Sequence, residues 1–471
     1  MAHQPRTLAP WQPKAAGFWV EKRKVGCRLP ALRTMAQIQT LKGFRDFYPV
    51  ECSRRNYLFA TWRTMAGLYG CAEYDTPVLE STELYRRKSG DEIIGQLFCF
   101  EDKGDREVAL RPETTPSLAR MISARQRDFK KPMRWFQIGP CFRYESPSRG
   151  RTREFNQFNA DIIGEAGSEA EAELIALAID TMRELGFAKG EFVVRLSDRE
   201  LWNRFIASAH IAEENVVSFL QTVDKWEREK EEVLSPKLDG LGTSYAAVKA
   251  HMEDEGAARE LLSPLLASLE ARGMSDFVEV DPSIVRGLAY YTGMVFEVFD
   301  LVHGYRAVAG GGRYDGLCKV VSEGKVDLPA VGFAMGDVVI GDLIDLNEEA
   351  SKRLQEHVDS EGETVAQIVL ADESKRLEAV ALVQELREAS VPTIFPLADT
   401  KVGKQFQNAE SARALIAIVI GSEFPEITIK FLPTRDEYGS HAGDLVDDVL
   451  ELLMPDEEEP LEEVELAEDP S

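Results

Sequence analysis

The chain has 471 residues, 44% of them hydrophobic and 29% charged, with a formal net charge of −26. That length predicts two or three domains, each able to bury its own core, and the longest apolar run, Ala414 to Ile420, is too short to span a membrane. The acidity argues against nonspecific nucleic-acid binding, and the six scattered cysteines, none in a CxxC pair, argue against a zinc motif and for a reducing, cytoplasmic setting.

Residues 1–40 read as a basic N-terminal extension without sustained periodicity, expected to be disordered. Its first 34 residues hold seven Lys or Arg and one acid, Glu21. Such a composition suits a transit peptide; alternatively Met35 is the working start, since organised sequence begins just after it. Leu41 to Pro49 is a turn-rich entry. A helix capped by Ser53 is then predicted, with Leu58, Trp62, Met65 and Leu68 on one face and an end at Gly70. CAEYDTPVLE follows as a strand broken by Pro77. Phe98–Glu101 and Val108–Leu110 predict a hairpin that runs into Arg111-Pro112-Glu113-Thr114-Thr115-Pro116 and a helix containing Leu118, Met121 and Ile122. A carboxylate and hydroxyls there either cap that helix or accept the protons of a substrate ammonium.

Residues 134–164 form the densest stretch. Arg134 to Gly139 and Phe155 to Ile163 predict two antiparallel strands joined by a basic loop at Pro147 and Gly150. From Arg125 to Arg153 there are nine basic residues against Asp128 and Glu145, a local positive field in an acidic molecule. Arg143 and Glu145 would share one face of a strand, as would Arg153, Phe155, Gln157 and Asp161. Arginines, a flat aromatic and carboxylates suit a polyphosphate, a planar base and an amine.

A capping box, Ser168 with Glu171, opens a helix whose apolar face is Leu174, Leu177, Ala178, Met182 and Leu185. EFVVRLSD is a strand. Residues 200–275 are helical and charged and read as an insertion into one catalytic domain spanning 41–345. A strand at Phe277–Val280 leads to SIVRGLAYYTG. Ala307 to Leu317 is a Gly-rich turn without P-loop or dinucleotide spacing, and AVGFAMGDVVI reads as strand then helix. A linker, 346–363, separates this domain from an α/β domain at 364–454. The tail, 455–471, holds nine acids and is expected to be disordered.

FRYE, the loop and REFNQFNAD resemble motif 2 of the class II aminoacyl-tRNA synthetases. The helix–strand–Pro unit before them resembles motif 1. LRPETT, RGLAYYT and AGGGRYDGL resemble the histidyl-tRNA synthetases in particular, and AVGFAMG resembles motif 3. The resemblance covers roughly 41–452. It implies an α+β class II catalytic domain, an antiparallel sheet flanked by helices, with a helical insertion that contacts the tRNA acceptor arm. It also implies a C-terminal α/β anticodon-binding domain and a homodimer built on motif 1. The implied reaction is ATP-dependent activation of L-histidine, with Mg2+, then transfer to tRNA(His).

By the same resemblance, Arg143 and Arg286 neutralise the α-phosphate, Arg151 reaches the distal phosphate, and Phe155 stacks on adenine while Glu145 accepts from its amine. Glu113, Thr115 and Gln157 hold the ammonium, Thr114 also lies in the histidine site, and Asp161, Tyr290 and Tyr291 hold the imidazole. No protein metal ligands are implied. Three departures stand out: Thr114 for the usual Gly, Ala289 for Asp, and Val338 and Val339 for a Glu and an ATP-touching Arg. The altered motif 3 keeps one alternative open, the non-catalytic histidine-sensing regulatory subunit of ATP phosphoribosyltransferase. A class II synthetase for another amino acid and a tRNA-binding scaffold are further alternatives.

Overall fold

The computed structural model describes residues 38–86, 94–226, 228–286, 290–360 and 365–453. The basic extension up to residue 37, the acidic tail from 454 and Ala289 lie outside the described residues. The chain divides into Met1–Leu41, of which only residues 38–41 are described, and Lys42–Ser471.

Among the described residues the N-terminal domain is built on eleven strands: β1 (Ala72–Glu73), β2 (Leu79–Ser81), β3 (Phe98–Glu101), β4 (Glu107–Leu110), β5 (Met133–Phe142), β6 (Glu154–Ile163), β7 (Phe192–Asp198), β8 (Val278–Val280), β9 (Met294–Asp300), β10 (Ala309–Arg313) and β11 (Ala330–Gly336). Eight of them form one sheet in the order β1-β5-β6-β11-β10-β9-β7-β8. Its six central strands are antiparallel, and the short edge strands β1 and β8 run parallel to β5 and β7. β2, β4 and β3 make a small antiparallel sheet.

Side-chain alternation divides the work of β6. Phe158, Ala160 and Ile162 enter the large core beneath the sheet, with Leu58, Trp62 and Met65 of helix Pro49–Leu68 and with Leu174 and Leu177 of helix Glu169–Glu184. Trp62 stacks on Phe158 at 5.6 Å. Phe155, Gln157 and Asp161 take the opposite face. The apolar face predicted for helix Glu169–Glu184 is buried throughout, and Gly186 ends it with φ +103°, where a side chain would be strained.

Several local expectations are corrected. Ser53 does not cap its helix: the N-cap is Tyr48, with Pro49 at the first helical position, where its missing N–H costs nothing. Ser168 makes no side-chain cap, and Glu171 is instead buried against Arg313, at 2.5 Å. Glycines 310–312 are not a turn but the middle of strand β10, hydrogen-bonded on both sides. Residues 200–275 are helical but do not pack as one unit. Helix Glu255–Ala271 places Ala258, Leu262, Leu265 and Leu269 in the large core. Helices Val216–Val223, Glu231–Gly240 and Tyr245–Glu253 instead share a separate cluster with Trp202 and Phe205.

The C-terminal domain carries a second sheet of β12 (Ala366–Leu370), β13 (Thr393–Ile394), β14 (Ile416–Ile420), β15 (Glu426–Phe431) and β16 (Asp436–His441), in the order β13-β12-β14-β15-β16. Its core includes Ile368, Leu382, Leu386, Ile418 and Val449. β16, DEYGSH, has no apolar alternation and escaped the sequence reading; as an edge strand it has only one neighbour to satisfy. Among the described residues, no helix is long and apolar enough to cross a membrane.

Candidate active site

The site lies on the upper face of the large sheet. On a strand rising about 3.4 Å per residue, Phe155, Gln157 and Asp161 stand about 7 and 14 Å apart along one line. The register of β6 against β11 sets Asp161 opposite Gly332 and Gln157 opposite Gly336. A Cβ on Gly332 would strike the Asp161 carboxylate, so glycine there is what lets Asp161 stand up from a buried sheet.

Arg143 and Glu145 are not on a strand. β5 ends at Phe142, and both residues sit in the loop that follows. Arg143 is held by its Nε, which donates to the Pro112 carbonyl at 3.0 Å, and its guanidinium lies 5.3 Å over the Phe155 ring. Glu145 pairs with Arg151 at 3.0 Å. Arg153, which shares the parity of Phe155, turns away from the site: it donates to the Glu145 carbonyl and lies over Tyr144.

Arg286 has φ +54°, a left-handed conformation that a bulky residue adopts only when its surroundings compel it. Its guanidinium lies across Gly310 and pairs with Glu297 at 3.1 Å; Glu297 is the direct cross-strand neighbour of Gly310. Burial works to lower the Arg286 pKa, but Tyr291 and Glu297 outweigh it and hold the group firmly charged. Arg143, Glu145, Arg151, Phe155, Gln157 and Arg286 together line one cavity of about 180 Å³, which Val338 and Val339 border. A second cavity of about 510 Å³ shares Arg151, Arg286, Glu297 and Arg306 with it and extends towards Arg195, Trp226 and Arg228.

The remaining predicted residues form a buried polar cluster beyond this cavity. Glu113 is 4% exposed and accepts a hydrogen bond from the Tyr290 hydroxyl at 3.1 Å; it caps no helix. Burial, then the Glu113 charge, pushes the Tyr290 hydroxyl well above its ordinary pKa, so it remains a donor. Asp161 accepts from the Tyr314 hydroxyl at 2.5 Å. The Tyr290 ring stands 4.8 Å from Tyr291 and 5.8 Å, edge on, from Tyr314, which joins the Glu113 and Asp161 ends. Thr114 is fully buried beside the Tyr74 hydroxyl, and Thr115 opens the helix Thr115–Arg125.

Two supports were not foreseen. Arg111 is 1% exposed and donates to Thr76 and to the Pro140 carbonyl, clamping the Glu113 segment to β5. Asp337 holds Arg45 at 2.7 Å and the Asn156 backbone N–H at 2.9 Å, tying the end of β11 to the start of β6. Tyr314 could have been found from its place in GGGRYDGL; Glu297 and Arg306 carry no comparable sequence signal. Among the described residues, no group of three His, Cys, Asp or Glu side chains is placed to hold a metal.

Comparison with known proteins agrees with this geometry. The histidyl-tRNA synthetase family matches residues 43–337, and the anticodon binding domain family matches 364–452. The chain is 42% identical to the histidine–tRNA ligase of Opitutus terrae over 427 residues, 86% of this chain and 96% of that protein. It is 35% identical to the histidine–tRNA ligase of Leptospira biflexa over 421 residues, 85% of this chain and 94% of that protein. The crystal structure of histidyl-tRNA synthetase from Nostoc shares the fold, with a TM-score of 0.66 at 21% identity over 89% of this chain and 100% of that one. The α+β catalytic domain and C-terminal α/β domain, with motif 2 on β5 and β6 and Arg286, Tyr290 and Tyr291 beside them, therefore place this chain in the histidyl-tRNA synthetase family.

Proposed function

We propose that the chain is a histidine–tRNA ligase that joins L-histidine to ATP, releases pyrophosphate, and passes the histidyl group to tRNA(His). The observation that carries this is the adjacency of two chemistries on one sheet face. One is an arginine-lined cavity with an aromatic floor; the other is the buried polar cluster of Glu113, Tyr290, Tyr314 and Asp161.

The first step brings two anions together. The histidine carboxylate attacks the α-phosphorus of ATP, a P–O bond forms, and the bond to the bridging oxygen breaks as pyrophosphate leaves. The carboxylate is already ionised, so no general base is needed. The demand is for fixed positive charge where negative charge gathers. Arg143 and Arg286 supply it, each held by a partner that needs no rearrangement. Phe155 gives adenine a face, Glu145 accepts from its amine, and Arg151 reaches the distal phosphate. Mg2+ would be carried by the phosphates of ATP and would offset part of their charge, few protein ligands being needed for it. Glu113, Thr114, Thr115 and Gln157 take the ammonium. Asp161, Tyr290 and Tyr291 take the imidazole, with Tyr314 orienting Asp161. A site built to hydrogen-bond both imidazole nitrogens rejects side chains that leave those groups unpaired. In the second step a ribose hydroxyl at the tRNA end attacks the acyl carbon and AMP leaves.

The C-terminal domain would read the anticodon, and helix Pro49–Leu68 with edge strand β1 would form the two-fold interface of a cytoplasmic homodimer. The test is exchange of pyrophosphate into ATP, run without tRNA and with each of the twenty amino acids. Exchange with histidine alone is expected. A folded protein that binds histidine but exchanges with nothing would turn the reading to a histidine sensor.

A further inference from the structure

The cavity that takes ATP in this reading lacks the arginine that motif 3 usually brings. Val339 stands there, on the first turn of helix Asp337–Leu346, buried and uncharged. A second feature lies beside it. Val339 Cγ2 and Arg306 Cδ approach the same point, 3.0 and 3.5 Å from where a Cβ on Gly150 would sit. Gly150 has φ +69° and sits at the tip of the motif 2 loop, so glycine both makes that turn and leaves room for the two side chains.

Arg306 borders both cavities. It comes from the segment entering β10, a different part of the chain from motif 3. Among the described residues it makes no ion pair or hydrogen bond, whereas Arg143, Arg151 and Arg286 each have one. Its surroundings are cationic on balance: Arg143, Arg151 and Arg228 act on it, against Glu145 and Glu297. Crowding by protein atoms and then the charge of Arg151 lower its pKa to about 10, and it remains charged at neutral pH. Several guanidinium groups converging without enough carboxylates to neutralise them is an arrangement that an incoming polyanion completes.

We infer that Arg306 takes over from the missing motif 3 arginine and contacts the distal phosphates of ATP. This rests on the ligase reading above. The positive charge is kept while its point of origin moves from a helix to the segment that enters β10.

The test is Arg306→Ala in the full-length protein, read by pyrophosphate exchange. Loss of a charged hydrogen bond predicts a KM for ATP and a KM for pyrophosphate each raised about 10- to 100-fold, with the KM for histidine unchanged. Arg306→Met, which keeps the aliphatic length, replaces the alanine variant if alanine lowers the melting temperature. Unchanged constants for ATP and pyrophosphate would overturn the assignment. So would a rise for ATP alone, which would put Arg306 at the adenine end. Normal exchange with slowed transfer from preformed histidyl-adenylate to tRNA would overturn it in favour of a tRNA contact. If the unaltered protein exchanges with no amino acid, the ligase reading fails by itself. ATP affinity by equilibrium dialysis then still decides Arg306: a loss of about tenfold or more supports it, and equal affinity refutes it.

Discussion

Gly310→Ala tests the geometry at its tightest point. Gly310 is on buried strand β10 with no left-handed backbone angle, so alanine meets no backbone penalty and would ordinarily stabilise a strand by about 0.5–1 kcal/mol. Here the added methyl would land on the Arg286 guanidinium. Arg286 must swing away and break its 3.1 Å pair with Glu297. At an effective dielectric of about 20 that attraction is roughly 5 kcal/mol gross, and desolvation offsets much of it. A net destabilisation of about 1–3 kcal/mol is expected by urea denaturation. Activation should fall about 100-fold, as expected for loss of a donor to transition-state charge. The deciding measurement is a double-mutant cycle with Arg286→Ala. Once the guanidinium is gone, the methyl has nothing to displace, so Gly310→Ala should then be nearly silent in both stability and pyrophosphate exchange. Additive losses would show that Gly310 does not serve Arg286, and the account of β10 would be wrong.

Phe155→Ala should raise the KM for ATP about tenfold, the value of one aromatic stack on a base, and leave the KM for histidine alone, as titration of each substrate would show. Glu171→Ala strands Arg313, which keeps only Asp315 and backbone carbonyls as partners; a loss of about 3 kcal/mol is expected in the denaturation midpoint, and a loss of only the few tenths typical of an exposed acid would contradict the buried-pair description. His251 packs on Trp202 and Phe205 at 5.1 and 4.8 Å, and burial lowers its pKa. A histidine held neutral contributes stability that is complete above its ordinary value of about 6.5 and is lost as pH falls through the lower folded value. The protein should therefore lose more stability on acidification across that window than His251→Gln does, and parallel melting curves for the two would exclude the effect.

The chain order of motifs was legible because each rests on local chemistry. Pro and Gly mark the turns, a period of two marks β5 and β6, and parity alone put Phe155, Gln157 and Asp161 on one face. That reading failed where the residue lies off the regular element. Arg143 and Glu145 are in a loop, so their meeting depends on the Pro112 carbonyl and on Arg151. Arg153 has the right parity and the wrong direction, because the strand has not yet begun.

The glycines of β10 show the same limit from the other side. Three consecutive glycines predict a turn when only the local chain is considered. In the sheet they are the places where Arg286, Phe333 and Tyr291 need space, and that need arises from β9, β11 and the two side chains outside the strands, Arg286 and Tyr291. Period, turn chemistry and motif spacing thus determined the order of most elements and which face of β6 carries Phe155, Gln157 and Asp161. Only the tertiary structure decided which partners those residues have: Tyr314 on Asp161, Arg313 rather than a cap on Glu171, and Arg306 beside Val339. The first two of these pairings join residues 153 and 142 positions apart, and their choice follows from strand order and register, which no local pattern encodes.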